Sequence, residues 1–293
     1  MVMKNKVTIL LATCNRYETT LPLCLMSIFS QTYSPDRVVL VDDSKEKKFY
    51  DYQILKNILI LFKEKNIDFD YFYGPCKGAV PALQIGLDNI EDGWVFKTDD
   101  DNILSPDVLE IFNKNIKSNI GAMSGIIMDK YLYTFYENNP DKRPIEEDGY
   151  YSKIENIYSE FNIQMVHEQS DDIKKVEHIY SNYFFNRELA DDYPPELSPS
   201  SQREETIFTY NIFRKGYDMI IIPQVKIYHL YFDHKSGNRQ WSKLDMKKNE
   251  LFFVEKLKEW NIIPYKMNMV DDGEKMYVMK NGAKYLVVLN NGN

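Results

Sequence analysis

Trp94-Val95-Phe96-Lys97-Thr98-Asp99-Asp100-Asp101-Asn102 runs from an apolar segment directly into three adjacent carboxylates. The apolar half suits a buried strand. Neighbouring carboxylates repel one another and resist desolvation, so its far end needs a cation or solvent. Ile103-Leu104-Ser105-Pro106 follows, with Ser105 suited to cap a helix and Pro106 to its first position. The predicted order is strand, acidic turn, helix, with a divalent-metal site at the carboxyl edge of an α/β sheet.

The residues upstream repeat that order. Val7 to Leu11 reads as a buried strand ending at Ala12-Thr13-Cys14-Asn15-Arg16, and a helix is expected over Thr20 to Gln31. Arg37 to Val41 is a second strand, closed by Asp42-Asp43-Ser44. Ile54, Ile58, Leu61 and Phe62 then mark an amphipathic helix. Phe69 to Tyr73 is a third strand, Gly74 to Gly78 a turn, and Val80, Leu83, Leu87 and Ile90 mark the next helix. Four strand-then-helix units predict a mostly parallel sheet with helices on both faces. Ligands of such sheets sit beyond the carboxyl ends of the strands. Cys14-Asn15-Arg16, Asp42-Asp43 and Asp99 to Asp101 all fall there, which points to a nucleotide pocket.

Downstream, a helix is expected over Pro106 to Ser118 and a strand over Gly121 to Ile127. Asn138 to Asp172 is polar, Tyr-rich and irregular, as an insertion shaping an acceptor cleft would be. Ile179 to Asn186 is strand-like, Asp191 to Ser201 a loop, and Gln202 to Lys215 a helix stopped by Gly216. Met219 to Ile222 and Val225 to Leu230 are β-rich around Pro223. His234 to Ser242 is polar, Leu244 to Trp260 is helical, and Asn281-Gly282 signals a hairpin. The expected domains are 1–262, with a nucleotide-binding half (1–120) and an acceptor-binding half (121–262), followed by a β-rich extension (263–293).

Composition narrows the partners. The chain has 293 residues, with 36 Lys and Arg against 44 Asp and Glu, a net charge of −8. No basic patch dominates, which argues against a nucleic-acid binder. Cys14, Cys24 and Cys76 form no C-x-x-C pair and suggest reduced thiols in a cytoplasmic protein. No apolar run is long enough for a transmembrane segment, so any membrane contact would be peripheral.

Asp99-x-Asp101 sets alternate carboxylates on one side of an extended strand end. Mg²⁺ or Mn²⁺ takes oxygen ligands, often one or two carboxylates with substrate phosphates. A solvated acidic turn is the plain alternative for a lone D-x-D. A calcium loop starting at Asp99 fails, because Ile103 fills a ligand position and Leu104 the turn-glycine position.

The succession Val7 to Arg16, Val41-Asp42-Asp43-Ser44 and Asp99 to Pro106 resembles family 2 glycosyltransferases of the GT-A fold. The resemblance continues in Glu204-Glu205-Thr206-Ile207-Phe208 through Gly216-Tyr217, similar to the family's E-D helix. It ends in Ile221-Ile222-Pro223 and Val225 to His229, similar to its closing strands. It implies an inverting transfer from a nucleotide sugar, a UDP-sugar first, to a hydroxyl acceptor such as a glycan or glycolipid, with Mn²⁺ or Mg²⁺. Asp43 would contact the uracil, with Asp42 beside it and Thr13, Asn15 and Arg16 lining the nucleotide. Asp99 and Asp100 would serve the ribose. Asp101, with Asp99 and His229, would hold the metal. Glu205 stands where the family has its catalytic base, with Glu204 before it, and E-E in place of E-D leaves either one as the base. The family's Ala-Arg-Asn is Ala82-Leu83-Gln84 here, so Lys77, beside Gly78, would replace the missing arginine. Arg239 and Trp241 would close over the diphosphate. His234 is less well placed, and His167 and His178 read as surface or core residues. A nucleotidyltransferase would carry a Gly-rich loop after the first strand, and Thr13-Cys14-Asn15-Arg16 has none. A non-catalytic carbohydrate-binding relative is the third reading, and retention of the acidic positions, Glu205 and His229 argues against it.

Overall fold

A computed structural model describes residues 5–128, 172–199, 201–230 and 243–261, and the backbone of short strands within 270–287. The expected insertion, apart from Asp172, and the polar stretch with His234, Arg239 and Trp241 lie outside the described residues, as does His167.

Val7–Thr13 (β1), Arg37–Asp42 (β2), Asp68–Tyr73 (β3) and Trp94–Lys97 (β4) pair in parallel in the order β3-β2-β1-β4. Thr20–Phe29 (α1), Gln53–Glu64 (α2) and Ala79–Asp88 (α3) connect them. Alternation along the strands divides the core into two layers. Val7, Ile9, Leu11, Val38 and Leu40 pack with α1, α2 and Val108–Lys114 (α4), while Leu10, Val39 and Val41 pack with α3. On α2 the buried stripe is Leu55, Ile58 and Phe62, and Ile54 is exposed. Ile58 and Phe62 lie on the expected face, and Leu55 completes its i, i+3, i+7 stripe while Ile54 sits at its solvent edge.

Beyond β4 the sheet becomes mixed. Asn102–Leu104 (β5), Ile120–Met128 (β6), Lys174–Val176 (β7), Tyr183–Asn186 (β8) and Asp218–His229 (β9) extend it as β4-β8-β6-β9-β5, with β7 on the first half of β9. β8 runs antiparallel to β4 and β6, whereas β6 and β9 are parallel. Three sequence expectations change here. The acidic turn leads into a strand, β5, before any helix. Ser105 caps nothing, since its Oγ donates to the Lys226 carbonyl at 2.9 Å, and α4 begins only at Val108. The two β-rich pieces around Pro223 are one strand, whose ladder with β6 shifts register between Ser124 and Ile126, opposite the missing proline N–H.

Glu204–Arg214 (α5) and Lys243–Glu259 (α6) complete the α3 layer through Ile207, Phe208, Ile212, Phe253, Val254 and Leu257. Val270–Asp271 (β10), Met276–Lys280 (β11) and Ala283–Val287 (β12) form a separate antiparallel sheet, with Lys280 paired to Ala283 across the expected hairpin. Among the described residues, no helix is long and apolar enough to cross a membrane.

Candidate active site

The carboxyl ends of β1, β2 and β4 converge, and each carries a different task. After β1, Thr13 Oγ1 donates to Asp100 Oδ2 at 2.6 Å. The chain turns through left-handed Asn15 (φ 57°), whose N–H donates to Ser44 Oγ at 2.8 Å. The turn aims Arg16, whose Nη1 lies 2.5 Å from Asp101 Oδ2 and 3.4 Å from Asp100 Oδ1. At the end of β2, buried Asp42 accepts from Tyr17 Oη at 2.6 Å, from Tyr71 Oη and from the Ser44 N–H at 2.9 Å. With three donors around it and no exposed surface, Asp42 shapes the turn and offers no face to a ligand, contrary to the sequence expectation. Asp43 organises the next loop: its Oδ1 and Oδ2 accept the N–H groups of Cys76 and Gly78, each at 2.7 Å. Lys77, between them, is exposed.

The three carboxylates after β4 are compensated by the protein's own cations. Asp100 and Asp101 lie against Arg16. Asp99 Oδ1 accepts from Lys97 Nζ at 2.9 Å, and Ser181 Oγ donates to its Oδ2 at 3.2 Å. Burial raises the pKa of Asp100 despite Arg16. For Asp101 burial acts in the same direction but is outweighed by His229 and Arg16, which hold its carboxyl below the usual range. His229 arrives through β5, because Asn102 pairs with His229 and the Leu230 N–H donates to the Asp101 carbonyl at 2.8 Å. Its Nε2 stands 3.5 Å from Asp101 Oδ2.

Asp101 Oδ1 is buried with no hydrogen-bond partner among the described residues, and the half-exposed His229 stands beside the same carboxylate. One hard oxygen and one imidazole nitrogen suit Mn²⁺ or Mg²⁺ with further ligands from a diphosphate. The expected trio is not assembled, however: Asp99 bonds Lys97 and Ser181 instead, and among the described residues no three His, Cys, Asp or Glu side chains form a metal group.

Lys97 links this turn to the start of α5. Only 3% exposed, its Nζ also donates to the Ser181 carbonyl at 3.0 Å and lies 3.3 Å from Glu204 Oε1. Glu204 is buried, and its Oε2 is unpartnered among the described residues. Glu205 is half-buried, with Lys97, Asp99 and Arg203 as its nearby charges. Burial raises both carboxyl pKa values, and Lys97 opposes the rise. Tyr180 lies beside Glu205 and Asp99, and burial raises its phenol as well. Lys97, Tyr180 and Ser181 are the residues that sequence reasoning missed. Lys97 was legible only as a lysine ahead of an acidic run, and Tyr180 and Ser181 only as the start of a stretch, Tyr180 to Ser201, expected to help shape the acceptor site.

Chemically, the half-buried Glu205 can take a proton from a hydroxyl, while the turn from Thr13 to Arg16, the loop at Gly78 and Asp101 with His229 can surround a phosphorylated ligand. Leu83, at the family's arginine position, is buried in the core, and its neighbour Gln84 ties α3 to the loop after β8, its Oε1 accepting the Tyr193 N–H at 2.8 Å.

The profile described as Glycosyl transferase family 2 matches residues 8–193, which stops short of Glu204, Glu205 and His229. No curated protein matches significantly. Among solved structures, the chain is similar to a mannosyltransferase, PcManGT from Pyrobaculum calidifontis, in complex with GDP-Man and Mn²⁺ (TM-score 0.56, 16% identity, 80% of this chain and 59% of that one). It is similar to GalNAc-T7 with UDP, GalNAc and Mn²⁺ (TM-score 0.60, 14% identity, 88% and 50%). It is also similar to residues 1–349 of S. aureus TarS in complex with UDP-GlcNAc (TM-score 0.53, 15% identity, 86% and 66%). The chain thus spans between half and two thirds of the length of these three proteins, and at such identities the likeness shows the GT-A fold. Together with a profile match over more than half its length, this places the chain in glycosyl transferase family 2.

Proposed function

We propose that the protein transfers a sugar from a nucleotide sugar to a hydroxyl acceptor with inversion at the anomeric carbon. The observation that carries this reading is Glu205, half-buried at the start of α5 with the charges of Lys97 and Asp99 nearby, at a helix start that Lys97 ties through Glu204 to the turn bearing Asp101 and His229.

Glu205 takes the proton of the acceptor hydroxyl as its oxygen bonds to the anomeric carbon. The bond from that carbon to the phosphate oxygen breaks, and its electron pair leaves with the nucleoside diphosphate. Glu204, buried against Lys97, holds the helix start, which supports the second glutamate as the base. Arg16 and the Gly78 loop held by Asp43 would line the donor, and Lys77 supplies an exposed positive charge on that loop. Asp101 and His229 would hold Mn²⁺ or Mg²⁺, whose charge would stabilise the departing diphosphate. Asp99 faces the sugar and acceptor side, through Ser181. The neighbours' GDP-Man, UDP and UDP-GlcNAc support a nucleotide-sugar donor, with a UDP-sugar as the first choice and a glycan or glycolipid as the acceptor class.

Calorimetry with UDP and with GDP, in Mn²⁺ and then in EDTA, tests the donor half. Metal-dependent binding of one of them is expected. Equal binding of neither nucleotide under both conditions would refute the reading.

A further inference from the structure

The chain enters α5 through two left-handed residues, Ser201 (φ 58°) and Arg203 (φ 76°). Neither is glycine, so this backbone persists only where its surroundings over-determine it. Those surroundings come from α6, more than forty residues downstream. Arg203 Nε donates to Glu250 Oε1 at 2.7 Å, in an ion pair whose side chains are 8% and 3% exposed. Gln202 Nε2 donates to the same oxygen at 3.0 Å, and the Arg203 guanidinium lies 5.2 Å from the Phe253 ring centroid. One residue earlier on α6, Asn249 Oδ1 accepts the Ser198 N–H at 2.8 Å. These ties hold Ser198, Gln202 and Arg203, directly before Glu204 and Glu205. The same segment closes on the nucleotide-side loop: a Cβ on Gly78 would stand 2.7 Å from the Pro199 carbonyl oxygen.

We propose that Glu250 is a positioning residue for the transfer reaction. By fixing Arg203 in its left-handed conformation it sets where the Glu205 carboxylate stands relative to the donor loop. The helix that follows the family's shared region therefore tunes the base from outside it. This rests on the reading of Glu205 as the base. A pair that served folding alone would lower the melting temperature and leave turnover per folded molecule unchanged.

The test uses the full chain with Glu250→Ala, which removes the acceptor oxygen, and Glu250→Gln, which keeps it. Folded molecules are counted by the stoichiometry of UDP or GDP binding in Mn²⁺. Nucleotide release from a panel of UDP-sugars and GDP-mannose gives turnover, and amide hydrogen exchange over 201–207 reports the local backbone. Glu250→Ala should lose roughly 10–100-fold in turnover per binding-competent molecule, as a misplaced catalytic group does, with unchanged nucleotide affinity and faster exchange at 201–207. Glu250→Gln should recover most of both. Unchanged turnover per competent molecule, or unchanged exchange, would overturn the proposal. If Glu250→Ala does not fold, Arg203→Lys takes its place with the same expectations. If the wild-type protein releases nucleotide from no donor, the functional reading fails, and unchanged exchange in the variants would separately overturn the role of Glu250.

Discussion

His178 precedes Ile179, Tyr180 and Ser181, the segment that delivers two side chains to the site, and it makes a quantitative prediction about pH. The imidazole is 4% exposed, and neither ring nitrogen has a hydrogen-bond partner among the described residues. Burial, with the Arg203 charge nearby, pushes its pKa down to about 3 from an ordinary 6.5. Below 6.5 the unfolded chain binds a proton that the folded protein refuses, so stability is full above that value and falls as pH drops toward 3. At about 1.4 kcal/mol per unit, lowering the pH from 6.5 to 5 removes about 2 kcal/mol, a large share of a typical folding free energy. His178→Leu, close in volume and without a titrating group, removes that loss. It also removes two unpartnered buried nitrogens, so its stability at pH 7 should equal or exceed that of the wild type. Urea unfolding of both proteins at pH 7 and pH 5 measures the difference of differences, in which every other titrating group cancels. The expected value is about 2 kcal/mol. Parallel losses in the two proteins would show that His178 is not held neutral.

Other expectations concern the site itself. A base at Glu205 would have to be ionised to act, and burial raises its pKa, so turnover should fall as pH drops through a value above the usual glutamate range; a limb of the pH profile at or below about 4.3 would contradict this. Glu204→Gln should cost about 1–3 kcal/mol of stability, read by urea unfolding, while keeping turnover within about tenfold, since Lys97 retains Asp99 and Ser181. Gly78→Ala meets both a left-handed φ of 103° and the Pro199 backbone, so about 1–3 kcal/mol of stability should be lost along with nucleotide affinity, measured by melting and calorimetry. Asp101→Ala should abolish the Mn²⁺ dependence of nucleotide binding, and an unchanged dependence would remove Asp101 from the metal's surroundings.

How far the residues themselves disclosed this molecule depends on distance along the chain. Strands β1 to β4 alternate with helical patterns along the chain, so local periodicity was enough to find them and to place Thr13, Asp43 and Asp101 at one edge. β5 was invisible, because Asn102-Ile103-Leu104 is three residues long and becomes a strand only by pairing with His229, Tyr228 and Ile227. That pairing brings His229 to Asp101, a meeting that only the family resemblance had implied. The acidic turn was read as needing a cation or solvent, and the chain's own Arg16 and Lys97 stand against it. Asp42 and Asp43 look alike in sequence and diverge in space: one is enclosed by Tyr17 and Tyr71, the other folds the Gly78 loop. The bond from Glu250 to Arg203 joins positions that no local pattern connects.

The central claim is that Glu205 accepts a proton during transfer from a nucleotide sugar. Release of UDP or GDP from a panel of nucleotide sugars in Mn²⁺, compared between wild type and Glu205→Gln, tests it most directly. The account predicts release by the wild type from at least one donor, and a loss of about 10²–10⁴-fold in the variant with nucleotide affinity retained. Equal release by both proteins would contradict it.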